Sequence, residues 1–374
     1  MESAVWLLLT VVFLAYANGA NDNFKGVATL FGSRTMSYRT ALWWTTVTTL
    51  AGSCAAVWVS QGLVKVFSGA GLVPEALAQA PTFLTAVGFG ATLTVMLATL
   101  TGVPISTTHA LTGSLLGAGL AAAAPVNLPV LGQKFFLPLA VSPIVSMGMT
   151  SVLYPIFRVL RRRLGVVRQM CLCVDGGLLA PVRLQPDGTA VLQATGVLLT
   201  IGQMQDCTER YHGRVLGIDS QWVLDRLHII SAGAVSIARG LNDTPKIVAL
   251  LMAVSATHLN LMTGMMLIGI AMALGGLLHA RRVATTMSQR ITAMNHGQGF
   301  TANLATAMLV LVASRWGLSV STTHVACGSL FGLGAVTRQG HWKTIRTILQ
   351  AWVVTLPAAA VSAAGIYWMV QWVR

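Results

Sequence analysis

Two short polar clusters interrupt otherwise apolar stretches of this chain. Asn21-Asp22 is followed by Lys25, and Asn242-Asp243 is followed by Lys246. Each cluster puts a carboxamide, a carboxylate and an ammonium within about one helical turn. Farther along, Ser106-Thr107-Thr108-His109 recurs letter for letter as Ser321-Thr322-Thr323-His324. Hydroxyl, amide and ammonium groups are hydrogen-bond donors, and many donors converging on one point suit a tetrahedral oxyanion. The charges agree: Asp22 and Asp243 are outweighed by Lys25, Lys246 and Arg239, leaving a formal balance of about +1 before helix N-termini add their partial positive ends.

Other chemistries are available to the same residues. Asp22, Asp243, His109 and His324 could ligate a divalent metal, but two lysines and an arginine beside the carboxylates oppose it. Ser106 and His109, three apart, resemble a nucleophile with its base, yet no third orienting group is evident and the site is duplicated. The acid–lysine pairs could be salt bridges that permit burial, and the threonines could bond carbonyls one turn back. Cys171, Cys173 and Cys207 are poorly spaced for zinc. No Walker sequence is present, so no nucleotide drives the protein directly, and neither cofactor nor enzymatic activity is expected. His258, His279 and His296 read as interfacial residues, and Trp6, Trp58, Trp316, Trp352 and Trp372 as belt or packing aromatics.

The elements that must position these groups are membrane helices. Of 374 residues, 55% are hydrophobic and 9% charged, with mean hydropathy +0.71, whereas a soluble domain carries about 25% charged residues. Apolar stretches run over 3–32, 40–60, 82–101, 105–123 and 135–157, and again over 226–254, 259–280, 297–314, 318–336 and 347–373. Many approach the roughly 20 residues that cross a bilayer core. Charged groups at mid-membrane cost at least about 2.5–3.5 kcal/mol each and persist where they pair or bind. The N-terminus lacks the basic start of a cleaved signal. The +14 balance is read as loop charge facing the membrane and not as nucleic-acid affinity.

The chain divides into residues 1–157, a central loop 158–225 and residues 226–374. The loop carries Pro181, Pro186 and an Asp187-Gly188 turn before Thr189–Leu192, which predicts a small hairpin. From Ser106 and Ser321, nine of fourteen ungapped positions are identical, including Gly113 with Gly328 and Gly117 with Gly332. Asp22 precedes Ser106 by 84 residues and Asp243 precedes Ser321 by 78. The chain is therefore an internal duplication.

Placing Arg158, Arg161, Arg162, Arg163 and Arg168 in the cytoplasm also places Arg34, Arg39, Arg281, Arg282, Arg290, Arg338, Lys343 and Arg346 there. Only Lys65, Lys134, Arg315 and Arg374 remain outside. Both termini then lie outside and the halves are inverted, an architecture of transporters. The third and fourth segments of each half are joined by Gly102-Val103-Pro104 and by Gly317-Leu318. Re-entrant hairpins are expected there, with Ser-Thr-Thr-His at helix N-termini where an anion can be held. The paired glycines would let the hairpins pack closely. Glycine, asparagine and Pro245 within the polar clusters predict a broken helix in each half.

The paired Gly-x-Asn-Asp clusters, the paired Ser-Thr-Thr-His hairpins, their order and the duplication resemble the inorganic phosphate transporter (PiT) family over nearly the whole chain. The resemblance implies an all-α polytopic membrane protein with broken helices and re-entrant hairpins. It implies a secondary transporter moving phosphate or a similar oxyanion across the plasma membrane by alternating access, coupled to a proton or sodium and assembled as a homodimer. It places Asn21, Asp22, Asn242 and Asp243 at ion- or substrate-holding positions, and Ser106, Thr107, Thr108, Ser321, Thr322 and Thr323 at phosphate-donating ones. The family commonly reads Asn-Asp-x-x-Asn, whereas here Lys25 and Lys246 stand at the second Asn. Two of the chain's five lysines thus occupy equivalent positions, and they are expected to replace sodium and join the substrate site. Sulfate and related oxyanions fit the same donors, although carboxylates that accept a substrate proton favour phosphate.

Overall fold

The computed structural model describes residues 2–69, 71–169, 217–253 and 260–372, together with strand segments at 173–174, 199–200, 210–212 and 214–215. The fold is built of helices. In chain order they are α1 (Glu2–Asp22), α2 (Ala28–Gly32), α3 (Tyr38–Val59), α4 (Gln61–Phe67), α5 (Glu75–Ala78), α6 (Pro81–Thr101), α7 (Thr107–Ala121), α8 (Leu128–Val130) and α9 (Leu137–Arg163) in the first half. The second half contains α10 (Ser220–Met252), α11 (Leu261–His279), α12 (Arg281–Thr285), α13 (His296–Arg315), α14 (Thr322–Thr337) and α15 (Trp342–Trp372). Among the described residues, six helices are long and apolar enough to cross a membrane, and the bent pair α3–α4, at 86°, would make a seventh span.

The packing repeats. The first long helix of each half packs on the second long helix of the other, α1 on α11 and α10 on α3. It also packs on the first hairpin arm of its own half, α1 on α6 and α10 on α13. The second hairpin arm of each half lies on the last helix of the other, α7 on α15 and α14 on α9. Gly113 and Gly117 make the first of these crossings possible, because a Cβ on them would lie 2.3 and 2.0 Å from the carbonyl oxygens of Leu356 and Ala360. At Gly332 a Cβ would lie 2.4 Å from the Met147 carbonyl oxygen, and at Gly328 2.5 Å from that of Pro143. Only glycine admits such backbone approach.

Each hairpin has one long and one short arm. At about 1.5 Å per residue, the 15 residues of α7 and the 16 of α14 fall short of a bilayer core of roughly 30 Å. Their partners α6 and α13 have 21 and 20 residues. Gly102 and Gly317 turn the chain between the arms in the left-handed region, at φ +74° and +68°.

One expectation needs correction. The first polar cluster does break its helix, since α1 stops at Asp22 and Asn23–Gly26 forms a tighter 3₁₀ turn. The second does not: α10 runs helical through Arg239–Lys246 with Pro245 inside it. Proline removes one backbone bond and kinks a helix without necessarily ending it. Farther along, Arg158, Arg161, Arg162 and Arg163 lie on α9, and α10 begins at Ser220. Between these helices, 167–169 pairs antiparallel with 210–212, 173–174 with 199–200, and 214–215 with 218–219. The Asp187-Gly188 turn, Thr189–Leu192, Cys171, Cys207 and His258 lie outside the described residues.

Candidate functional site

The two hairpin tips meet the two polar clusters in the interior. Asn21, Asp22, Lys25, Ser106, Thr107, Thr108, Asn242, Asp243, Lys246, Ser321, Thr322 and Thr323 are all buried there. Ser106 and Ser321 occupy the N-cap positions of α7 and α14, where their hydroxyls accept from the backbone N–H of His109 and His324 at 3.1 and 3.2 Å. N-caps satisfy backbone donors that a helix start leaves free. Capping in turn places Thr107 and Thr322, each the first residue of its helix, against the polar clusters. Thr322 donates to Asp243 at 3.2 Å, and Thr107 accepts from the Asn18 amide at 2.9 Å.

The lysines bind the halves together. Lys25 Nζ donates to Asn21 Oδ1 (2.9 Å), Asp22 Oδ1 (2.5 Å), the Ile105 carbonyl (3.0 Å) and Thr323 Oγ1 (2.6 Å). Lys246 Nζ donates to the Val320 carbonyl (2.6 Å) and Thr108 Oγ1 (2.9 Å), and pairs with Asp243 at 3.7 Å. Ile105 and Val320 both precede the capping serine, and Thr108 and Thr323 are equivalent residues of opposite hairpins. Each ammonium therefore touches the carbonyl of its own half's hairpin and the hydroxyl of the other's. Thr323 also donates across to the Ile105 carbonyl at 2.8 Å, so this pair of threonines is turned between the halves and not back along its own helix.

Asp22 and Asp243 share a neighbour: the Asn18 amide nitrogen lies 3.3 Å from Asp22 Oδ2 and 3.5 Å from Asp243 Oδ2. Arg239 donates to Asn18 Oδ1 at 2.7 Å and Asn23 Oδ1 at 2.9 Å, with its Nε 3.7 Å from Asp243. Five charged groups are thus buried at one place with a formal sum of +1. Buried charge without compensation is costly, and one further negative charge would complete the set.

The histidines stand behind the tips. The His109 and His324 rings lie 4.4 Å apart edge to face, and His324 packs 3.8 Å from Trp352. They border a cavity of about 760 Å³ lined mainly by apolar residues such as Pro143, Phe331 and Trp352, a packing position and not a place beside the carboxylates. Among the described residues, no three His, Cys, Asp or Glu side chains gather in the manner of a metal site.

Several participants escaped the sequence reading. Asn18, one turn before Asp22, is the amide that joins both carboxylates. Thr99 accepts from Asn21 at 3.0 Å, and the Asn242 side-chain oxygen lies 3.5 Å from the Ser314 hydroxyl. Thr99 and Ser314 each stand seven residues before the capping serine, a shared polar position that the duplication could have disclosed. The Ile105 and Val320 carbonyls carry no side-chain signal.

Comparisons with known proteins bear on the family and the fold. A model of the phosphate transporter family matches residues 18–363. The chain is 26% identical, over 97% of each chain, to a protein of Thermococcus kodakarensis named as a phosphate permease. A stretch of 107 residues, 28% of this chain and 21% of the relative, is 40% identical to the low-affinity inorganic phosphate transporter PitA of Escherichia coli K12. A solved structure titled the sodium-dependent phosphate transporter matches over 100% of both chains with a TM-score of 0.77 at 20% identity, a likeness of fold.

Proposed function

The chain belongs to the phosphate transporter family, and on that premise we propose that it is a secondary transporter in which two lysine ammonium groups take the place of coupling sodium ions. Phosphate is the substrate class of the family, and the family is one of transporters and not of enzymes. The observation that carries the proposal is the shell around Lys25 Nζ. A carboxamide, a carboxylate, a backbone carbonyl and a hydroxyl oxygen surround it at 2.5–3.0 Å. Carbonyls and carboxylates near an irregular helix segment are the usual holders of a transporter's monovalent cation, and here a tethered cation fills the shell.

Phosphate would enter by displacing the contacts that the tips make with one another. Thr107 and Thr322, the α7 and α14 N-termini and the two ammonium groups would donate to it, and Asn21, Asp22, Asn242 and Asp243 would orient those donors. Ser106 and Ser321 already accept from backbone N–H groups, and their own hydroxyl protons are free to face the anion. Such charge-assisted donors favour an oxyanion. Asp22 and Asp243 can also accept the proton that phosphate retains near neutral pH, which favours it over sulfate.

Alternating access follows if the halves, inverted about the site, rock against each other and transfer the lysine contacts between them. In the same reading the membrane is the plasma membrane and both termini lie outside. Residues 158–225 join repeats 1–157 and 226–374 in the cytoplasm, and the protein works as a homodimer coupled to protons or driven by the phosphate gradient. Labelled-phosphate uptake into proteoliposomes tests it. Equal rates with sodium and with N-methylglucamine are expected, and uptake that requires sodium would overturn the lysine assignment.

A further inference from the structure

A second cavity of about 790 Å³ opens beside the first hairpin turn. Its polar wall comes from His279, the last residue of α11, and from Arg281, Arg282 and Arg290 beyond it, and its other wall from Thr99 to Gly102 at the end of α6. The three arginines are exposed, and among the described residues none of them forms a salt bridge. Arg282 donates to the Leu100 carbonyl, which holds that guanidinium at the mouth. The Arg281 guanidinium lies over the Tyr38 ring at 5.9 Å, and the His279 Nδ1 meets the Tyr16 hydroxyl at 2.5 Å. These contacts fix the basic wall to α1 and α3.

The cavity adjoins the central site. Thr99, which borders it, is the residue that accepts from Asn21, and Thr286, on the basic wall, donates to the Gly102 carbonyl at 2.8 Å. Three exposed guanidinium forks gathered on one wall, two of them held by contacts to Leu100 and Tyr38, recognise the phosphate group, since planar forks match phosphate oxygens in pairs. We propose that this cavity is a second phosphate-group site, a vestibule where the oxyanion is held one hairpin turn from the central site. The inference rests on the phosphate-transport reading for its role in the path. A free phosphate ion and an anionic phospholipid headgroup share the chemistry it recognises.

The test is isothermal titration of the purified full chain, stripped of lipid in detergent, with inorganic phosphate. Wild type should bind about two phosphates per chain and Arg281→Gln/Arg290→Gln about one. The charge-preserving Arg281→Lys/Arg290→Lys should retain the second at reduced affinity, which separates recognition from misfolding. Protein reconstituted in nanodiscs with phosphatidylglycerol distinguishes the sources: if mass spectrometry finds that lipid retained by wild type and lost from the glutamine variant, the headgroup is the occupant and the phosphate-group site stands. Wild-type stoichiometry in the glutamine variant overturns the vestibule, as does a wild type that binds one phosphate and retains no anionic lipid. A wild type that binds no phosphate anywhere overturns the functional reading instead.

Discussion

Replacing Lys25 by asparagine should convert a sodium-indifferent protein into one whose folded state needs sodium. The ammonium lies 2.5 Å from Asp22, with both side chains only 2% exposed, and nearest-neighbour oxygens from Asn21, Ile105 and Thr323 complete its shell. Removing one partner of a buried ion pair costs about 3–5 kcal/mol, because the other charge is left uncompensated. A sodium ion entering the emptied shell would restore about 2.7 kcal/mol at a hundredfold excess over its dissociation constant, most of that loss. Thermal unfolding of the detergent-purified variant, followed by tryptophan fluorescence in sodium chloride and in choline chloride at equal ionic strength, reads this directly. The variant should be less stable than wild type in choline and recover in sodium, while wild type behaves alike in both. A variant equally destabilised in both salts, or a wild type stabilised by sodium, would refute the equivalence of ammonium and ion.

Thr322→Val removes a hydroxyl that donates to Asp243 and, as proposed, to phosphate; bonds to charged groups contribute about 1.5–3 kcal/mol, so the thermal midpoint should fall and phosphate affinity by titration should drop roughly tenfold or more. Arg239→Met breaks the ties to Asn18, Asn23 and Asp243, and a loss of about 3–5 kcal/mol in stability is expected, visible as a lower unfolding midpoint and loss of phosphate binding together. Gly117→Val drives side-chain atoms into the Ala360 carbonyl and Gly332→Val into that of Met147; neither should give a monodisperse peak in size-exclusion chromatography, whereas Gly365→Ala, which meets nothing within 4 Å, should elute as wild type.

Legibility of the sequence followed the range of the interactions. The helical segments were visible because runs of apolar residues are local, and the candidate site was visible because its polar residues stand alone in those runs and occur twice. Gly113 with Gly117 and Gly328 with Gly332 foretold close backbone crossings, although not that each hairpin arm would cross the last helix of the other half. That exchange depends on contacts hundreds of residues apart, as does the reach of Lys25 to Thr323. The continuity of α10 departs from the sequence expectation for a different reason. Gly240 and Pro245 have the composition of a break, but the packing of α10 on α3 and α13 holds the segment helical, and tertiary context overrides propensity. The carbonyls of Ile105 and Val320 enter the site through backbone, which no residue type announces.

A density map of the protein in phosphate without sodium tests the central claim most directly. The account predicts one phosphate between the Thr107 and Thr322 tips, with the ammonium groups of Lys25 and Lys246 within hydrogen-bond distance of it or of the carboxylates that orient it. A phosphate bound elsewhere, or lysine side chains turned out of the site with their oxygen shells taken by other cations, would contradict it.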